Sequence, residues 1–466
     1  MPGPTRTAPP PALLTDLYEL TMAYSYWRAG RDAHEAAFHL YFRTLPFDGG
    51  YAVACGLGPV CDFLERFCFG DDDLAYLAGL TGADDAPLFD RAFLDWLGDL
   101  RLTLDVDAVD EGAVVFPNEP LVRVVGPIAQ AQLVETTLLT LVGFSTLVAT
   151  KAARVRHAAG DDAVLEFGLR RAQGPDGGLS ASRAAYVGGC SATSDVLAGK
   201  LYGIPVSGTH AHSWVMSFDS EREAFSAYAD AMPNNGVFLV DTYDTLDGVR
   251  NAIEMGRRLR ARGQRLLGVR LDSGDLCALS VAARALLDDA GFPDAKVLAT
   301  NDLDEHRIAE LKAAGARIDV WGVGTRLATA YDEPALGAVY KLAAVREPGG
   351  AWEPRVKHSE QAAKASTPGM LQVRRYSAGG TAVRDVIWDE LSGPPEGDGV
   401  ELLRPAFRGG RRVRADEPLD VARDRALSSC AALPADVRRL VNPVPYPVAL
   451  EHRLAERREA MLREDR

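Results

Sequence analysis

Short apolar runs that each stop at polar residues constrain this chain more than any other feature. Ile204-Pro205-Val206 leads into Gly208-Thr209-His210-Ala211-His212-Ser213-Trp214, and Val237-Phe238-Leu239-Val240 ends in Asp241. Leu266-Leu267-Gly268-Val269 ends in Arg270-Leu271-Asp272-Ser273-Gly274-Asp275. Lys296-Val297-Leu298-Ala299 ends in Thr300-Asn301-Asp302, and Ile318-Asp319-Val320-Trp321 ends in Gly322-Val323-Gly324-Thr325. Runs this short fit parallel strands covered on both faces. Residues 245–262, 275–290 and 304–314 between them have helical character. Strand, polar loop and helix thus alternate over 163–345, which predicts a parallel sheet or an irregular, TIM-like α/β barrel. In such a fold the working residues gather at the carboxyl ends of the strands.

The flanking segments follow a different grammar. A Pro-rich lead, 1–12, predicts a flexible tail. Residues 13–27 predict a helix that Thr15 or Asp16 would cap, and 36–42 have strand character. Residues 100–125 predict short strands broken at Gly112, Pro117-Asn118 and Pro120, followed by a long helix over 133–159 in which Thr150-Lys151 and Arg154 interrupt the apolar face. From Arg346 onward Pro, Gly and Arg are frequent and the rhythm is lost, with a Pro/Gly-rich loop expected at 346–355. The expected division is therefore a strand-rich α+β domain over 13–160, a barrel over 161–345, and a segment over 346–466 that returns to the N-terminal layer and ends in a charged helix near 447–463.

Charge and cysteine usage narrow the functional class. A net charge of −14 argues against a general binder of nucleic acid or of anionic membranes, while leaving room for a small anionic substrate held by a few arginines. The six cysteines form no CxxC pair, which suits a reduced, cytoplasmic protein. The opening residues lack the apolar stretch of a secretory signal. No apolar run is expected to reach the ~18 residues of a membrane span.

The polar residues suggest phosphate and carboxylate chemistry. Arg43, Arg170, Arg171, Lys200, Arg270 and Lys341 lie beside glycines or near strand ends. A planar guanidinium grips carboxylate or phosphate in bidentate fashion, so this set points to a multiply anionic substrate. Gly322-Val323-Gly324-Thr325 fits a backbone-amide cradle for phosphate, or simply a tight turn. Asp241 and Asp272 suit sugar hydroxyls or a hydrated Mg²⁺, or else the capping of the following helices. His210 and His212 could pair on a metal with Asp272 or Asp302, or one of them could act beside phosphates. If the strand continues through them, the two rings point to opposite faces and one enters the site.

Several motifs, in this order, give the chain a resemblance. Thr15-Asp16-Leu17-Tyr18-Glu19-Leu20-Thr21-Met22, Phe42-Arg43-Thr44-Leu45-Pro46, Ala149-Thr150-Lys151-Ala152-Ala153-Arg154 and Glu166-Phe167-Gly168-Leu169-Arg170-Arg171-Ala172 are followed by the His210/His212 and Arg270–Asp275 segments, Gly322–Thr325 and Thr367-Pro368-Gly369. Together these resemble nicotinate phosphoribosyltransferases over essentially the whole chain. The resemblance implies a strand-rich domain packed on the barrel, usually as a homodimer. It implies the joining of nicotinate to 5-phosphoribosyl 1-diphosphate, coupled to ATP hydrolysis, with Mg²⁺ held mainly through substrate phosphates.

Residue by residue, His212 would be transiently phosphorylated, with Asp272 beside it in the catalytic set. Tyr18 would stack on the pyridine ring across the dimer interface, Thr209 would hydrogen-bond nicotinate, and Arg270 would grip its carboxylate. Thr325 with Gly324 would bind the 5-phosphate, and Arg43, Arg170, Ser213 and Asp241 would complete the substrate contacts. The resemblance also leaves room for a relative acting on nicotinamide or quinolinate, and the His210/His212 pair for a barrel metallohydrolase. Two positions depart from the family pattern: Gly143 stands where Asn is common and Asp195 where Asn is usual, which questions local packing and a hydrogen bond.

Overall fold

A computed structural model describes residues 11–357 and 365–464. Most of the expected tail and His358 lie outside the described residues; Ala12, at the tail's end, is buried. The chain divides into two compact units. One is built on Lys151–Pro334, and the other combines the described residues before Lys151 with those after Pro334.

The Lys151–Pro334 unit is a parallel α/β fold. Its six-stranded sheet runs in the order Ala192–Thr193, Ala163–Glu166, Val320–Val323, Lys296–Ala299, Gly268–Leu271, Val237–Leu239. An isolated parallel bridge adds Val206 beside Thr193. Taken around this order the strands are sequence neighbours, and the last of them, Val320–Val323, pairs back onto the first, Ala163–Glu166. The result is a ring with one open seam, between Val206 and Val237–Leu239. Helices Thr245–Ala261, Leu276–Asp289 and Glu305–Ala313 follow strands as expected. Each begins at an aspartate whose carboxylate accepts backbone N–H groups of the first turn. Asp244 accepts from Asp247 N at 2.9 Å, Asp275 from Cys277 N at 3.0 Å and Asp304 from Arg307 N at 2.7 Å. A cap of this kind is worth about 1 kcal/mol.

Three sequence expectations shift here. The run at 204–206 supplies a single bridge rather than a buried strand, and Val206 is exposed. Two strands sit further along than their apolar runs, so Arg270 lies within Gly268–Leu271, and Gly322 and Val323 within Val320–Val323. The barrel unit also ends earlier than 345, because Val339–Arg346 pairs antiparallel with Glu35–Tyr41 in the other unit.

That second unit holds a seven-stranded antiparallel sheet, ordered Glu353–Pro354, Val339–Arg346, Glu35–Tyr41, Val122–Pro127, Asp105–Val109, Leu403–Arg408, Arg411–Arg412. Residues 346–355, expected as a loose loop, instead form a hairpin whose arms pair Ala344 with Pro354. A four-stranded sheet, Val400–Glu401, Leu371–Ala378, Thr381–Asp389 and Val448–Leu450, completes the C-terminal part. Gly369 of the Thr-Pro-Gly motif has φ +106°, and a Cβ there would lie 2.7 Å from the Asp389 carboxyl carbon. Glycine is required at that turn for both reasons.

The helix Glu135–Ala159 corrects one expectation. It is long and apolar enough by composition to cross a membrane, yet 78% of its most apolar window is buried within the protein, as in a core helix.

Candidate active site

Because the strands of the ring are parallel, their carboxyl ends bring several loops together at one end. Asp241, just past Val237–Leu239, is buried, and its Oδ2 accepts the Asp272 N–H at 2.7 Å and the Ser273 hydroxyl at 2.6 Å. Asp272, just past Gly268–Leu271, accepts the Thr300 hydroxyl on Oδ1. Its Oδ2 lies 3.6 Å from His212 Nε2, and His212 Nδ1 lies 3.1 Å from the Thr242 hydroxyl. Loops after three adjacent strands thus hold one imidazole between a carboxylate and a hydroxyl. Neither Asp241 nor Asp272 caps a helix. Asp244 and Asp275, three residues further on, take that role, which leaves the first aspartate of each pair to the site.

Arg270 lies beside this cluster. Its Nη1 donates to the Thr209 hydroxyl at 3.0 Å, and Thr209 donates to the His210 carbonyl at 3.1 Å. Arg270 forms no ion pair with Asp272 among the described residues, although the two are close enough for the carboxylate's field to act on the guanidinium. Burial lowers the guanidinium pKa, the fields of Asp272 and Asp241 oppose that, and the nearby positive charge of Arg170 adds to it. The buried Arg270 Nε and Asp241 Oδ1 have no hydrogen-bond partner among the described residues. An unpaired buried donor and acceptor cost roughly 1–3 kcal/mol each, so both atoms suit a bound polar ligand.

His210 and His212 sit in different environments, but no strand passes through them, so the alternation expected of a strand is not what separates them. His212 opens the short helix His212–Met216 and is half-buried, with Ser213 exposed beside it. His210 is buried, and the Leu239 N–H donates to its Nε2 at 3.3 Å. Burial lowers its pKa to about 4, so it is neutral, and its Nε2 lone pair is already engaged. That engagement argues against its sharing a metal with His212.

The glycine loop is tightly packed. A Cβ on Gly168 would lie 2.8 Å from the Gly324 carbonyl oxygen and 2.3 Å from Ala328 Cβ, so the loops after Ala163–Glu166 and Val320–Val323 can meet only without side chains there. Thr325 is half-buried at the start of Thr325–Ala328. Glu166 is structural. It accepts the Gly168 N–H, the Ser182 hydroxyl at 2.9 Å and the Thr193 hydroxyl at 2.6 Å. Arg170 and Arg171 are exposed on the following turn, and Lys200 is exposed on the helix Val196–Tyr202. Asn301 and Asp302, past Lys296–Ala299, both have positive φ (+93° and +43°), a strained pair of the kind functional loops carry.

The other expected site residues belong to the second unit. Tyr18 is exposed on helix Leu17–Arg28, next to the buried Glu19. Arg43 follows Glu35–Tyr41, its guanidinium 5.9 Å from the Tyr41 ring centre. Lys341 lies on Val339–Arg346, close enough to Glu135 and Arg43 for their charges to be felt.

Comparison with known proteins decides the family. The family model described as the nicotinate phosphoribosyltransferase (NAPRTase) family matches residues 163–379, its N-terminal domain 13–143 and its C-terminal domain 397–458. A nicotinate phosphoribosyltransferase of Bacillus subtilis is 47% identical over 88% of this chain and 79% of its own length. One of Mycobacterium tuberculosis is 45% identical over 95% and 92%. The chain belongs to the nicotinate phosphoribosyltransferase family. The crystal structure of human nicotinic acid phosphoribosyltransferase superposes with a TM-score of 0.81 at 33% identity, covering 96% of this chain and 99% of that one. The metallohydrolase alternative is thereby displaced.

Within this member of the family, the two departures have local accounts. Gly143 lies in Glu135–Ala159, where a Cβ would meet nothing within 4 Å, so the site needs no particular side chain for packing. Asp195 caps Val196–Tyr202, its Oδ1 accepting from Leu197 N at 2.9 Å and Ala198 N at 3.1 Å, bonds that Asn could also accept. Thr242, Ser273 and Thr300 were missed as candidates. Each is a hydroxyl within two residues of an apolar run's end or of a candidate aspartate, which is the signal that could have found them.

Proposed function

We propose that this chain joins nicotinate to 5-phosphoribosyl 1-diphosphate, coupled to ATP hydrolysis through phosphorylation of His212, and that it works as a cytoplasmic homodimer. In the reaction the pyridine nitrogen attacks C1 of the sugar as the C1–diphosphate bond breaks. The products are nicotinate mononucleotide and diphosphate. Separately, ATP gives its γ-phosphoryl group to a ring nitrogen of His212, ADP leaves, and water later releases phosphate.

What carries this reading is the position of His212, with Nε2 facing Asp272 and Nδ1 facing Thr242, one loop from the Arg270–Thr209 pair. On closing from their 3.6 Å separation to hydrogen-bond distance, the Asp272 carboxylate would hold the Nε2 proton and leave Nδ1 as the nucleophile, the logic of an activated histidine. Arg270, with a buried and unpaired Nε, offers a fork for the ring carboxylate; a neutral amide would leave that charge poorly compensated. Thr325 and Gly324 would bind the 5-phosphate and Arg170, Ser213 and Arg43 further phosphate oxygens. Tyr18 would stack on the pyridine, from the partner subunit. The free Asp241 Oδ1 and the Asp272 carboxylate fit a Mg²⁺ ion that is held chiefly by diphosphate and neutralises its charge.

The test mixes the protein with nicotinate, phosphoribosyl diphosphate and Mg²⁺, with and without ATP, and follows the mononucleotide by mass. ATP should stimulate formation and leave a base-stable, acid-labile phosphate on the protein. His212→Ala should abolish that phosphate and the stimulation while slow, uncoupled transfer persists. A phosphate retained in His212→Ala but lost in His210→Ala would reverse the assignment.

A further inference from the structure

Among the described residues, the ring of strands has no backbone ladder between Val206 and Val237–Leu239. Elsewhere around the ring each strand end is fixed by its neighbour. At this seam the edge strand Val237–Leu239 pairs on one side only, with Gly268–Leu271, and the Val240 N–H is bonded to the Arg270 carbonyl on that side. Alternation along the strand turns the Leu239 N–H to the open side, where a buried and unpaired donor would be costly. His210 Nε2 accepts it at 3.3 Å. The Asn235 amide adds a second stitch across the seam, donating to the Gly208 carbonyl at 3.1 Å and to the Tyr228 hydroxyl at 3.0 Å.

The His210 ring is also enclosed. Tyr228 meets it edge-on at 4.7 Å, with Phe225 at 5.9 Å and Phe238 at 6.4 Å, so its orientation is set on several sides. Thr209 and His212, on either side of it in the chain, are the residues that reach Arg270 and Asp272. The segment that carries both is otherwise an irregular loop, with no ladder to fix its height above the sheet.

We propose that His210 is a positioning residue, its Nε2 acting as a side-chain substitute for the missing strand at the seam, and that this stitch, with Asn235, sets the placement of Thr209 and His212. The inference rests on the roles proposed above for those two residues. It requires the Nδ1–H tautomer, since Nε2 must keep its lone pair for the Leu239 N–H.

Selective ¹⁵N labelling of histidine in the full-length wild-type protein reads the tautomer without reference to activity, and the neutral Nε2–H form at His210 would overturn the proposal. Two substitutions read the consequence. Gln presents an acceptor near the Nε2 position, whereas Phe keeps the ring shape and leaves the Leu239 N–H unpaired. His210→Phe should lower the rate of phosphohistidine formation and raise the nicotinate KM, each by about 10-fold or more, because small displacements of reacting groups carry penalties of that size. His210→Gln should recover most of both, and the KM for phosphoribosyl diphosphate should hardly change. A His210→Phe protein with a lower Tm but wild-type kinetics would reduce the residue to packing and sink the positioning role. Should both variants fail to fold, Asn235→Ala, at a half-buried position, reads the second stitch: a shift in nicotinate KM supports the seam and unchanged kinetics oppose it. Failure of the function itself is distinct, since wild-type protein would then form no mononucleotide whatever the tautomer.

Discussion

Lys151 Nζ lies 2.7 Å from Glu305 Oε2 and 2.5 Å from Asp332 Oδ2, and Arg154 Nε lies 2.8 Å from Glu305 Oε1. Lys151, Arg154 and Glu305 are essentially buried, while Asp332 is part-exposed. These ion pairs lie inside the barrel unit and tie Lys151 and Arg154 of helix Glu135–Ala159 to helix Glu305–Ala313 and to the turn after Thr325–Ala328, where Arg326 also approaches Asp332 at 4.0 Å. Burial pushes the Glu305 carboxyl up, but Lys151 and Arg154 outweigh it and hold it below its ordinary value of 4.5. A depressed folded pKa gives stability that is present above the unfolded value and lost as pH falls through the folded one. Glu305→Gln should cost about 3–5 kcal/mol at neutral pH by leaving buried cations under-compensated, and the loss relative to wild type should shrink below pH 4.5. Equilibrium urea unfolding across that range checks both parts; a constant difference from pH 7 down to pH 3 would contradict the charge account.

Glu19 behaves in the opposite sense. Burial raises its carboxyl to about 7, Glu135 adds to the shift, and the Gln132 amide, which donates to both carboxylates, works against it. Below about 4.5 the group is protonated whether the chain is folded or not. As pH rises towards 7 the unfolded chain ionises first, so stability declines through that window and levels off above it. Glu19→Gln should flatten the profile between pH 5 and pH 8, read as Tm against pH. An unchanged slope in the variant would assign the pH dependence elsewhere.

Thr325→Ala tests the proposed phosphate loop. Loss of one hydrogen bond to a charged group costs roughly 1.5–3 kcal/mol, so the KM for phosphoribosyl diphosphate should rise about 10- to 100-fold. The nicotinate KM should change little. Equal rises in both would point to a general disturbance of the strand ends.

The alternation of apolar runs and polar stops made the parallel unit legible in the sequence, because each strand, loop and helix there is a local event. Exact strand limits were not. Apolarity reports burial, whereas a ladder reports backbone pairing: Ile318 is buried before the strand Val320–Val323 begins, and Leu266 before Gly268–Leu271. The second unit's large sheet was illegible for a different reason. Its pairing of Glu35 with Arg346 joins segments some three hundred residues apart, and no local pattern encodes such a partner. In the site, the types and order of residues were readable from motifs. Which of two aspartates three residues apart would cap a helix and which would face the site was not, nor was the seam that engages His210, since both depend on where neighbouring strands stop.

Arg270 carries the sharpest remaining prediction. Its Nη1 donates to Thr209, and its Nε is buried without a partner among the described residues. Two roles are then separable. If the guanidinium only braces the Thr209 loop, a lysine that reaches the same hydroxyl would preserve function. If it grips the nicotinate carboxylate, lysine keeps the charge but loses the planar fork, and the nicotinate KM should rise steeply, on the order of 10- to 100-fold for charge-assisted bonds of about 1.5–3 kcal/mol. Phosphoribosyl diphosphate binding should be nearly unchanged in Arg270→Lys. Thr209→Val supplies the comparison, since it removes the brace together with Thr209's own proposed hydrogen bond to nicotinate and leaves the fork intact. A clamp role requires Arg270→Lys to be the more severe of the two in nicotinate KM. An Arg270→Lys protein that melts much earlier yet keeps near-normal nicotinate KM would leave only the bracing role.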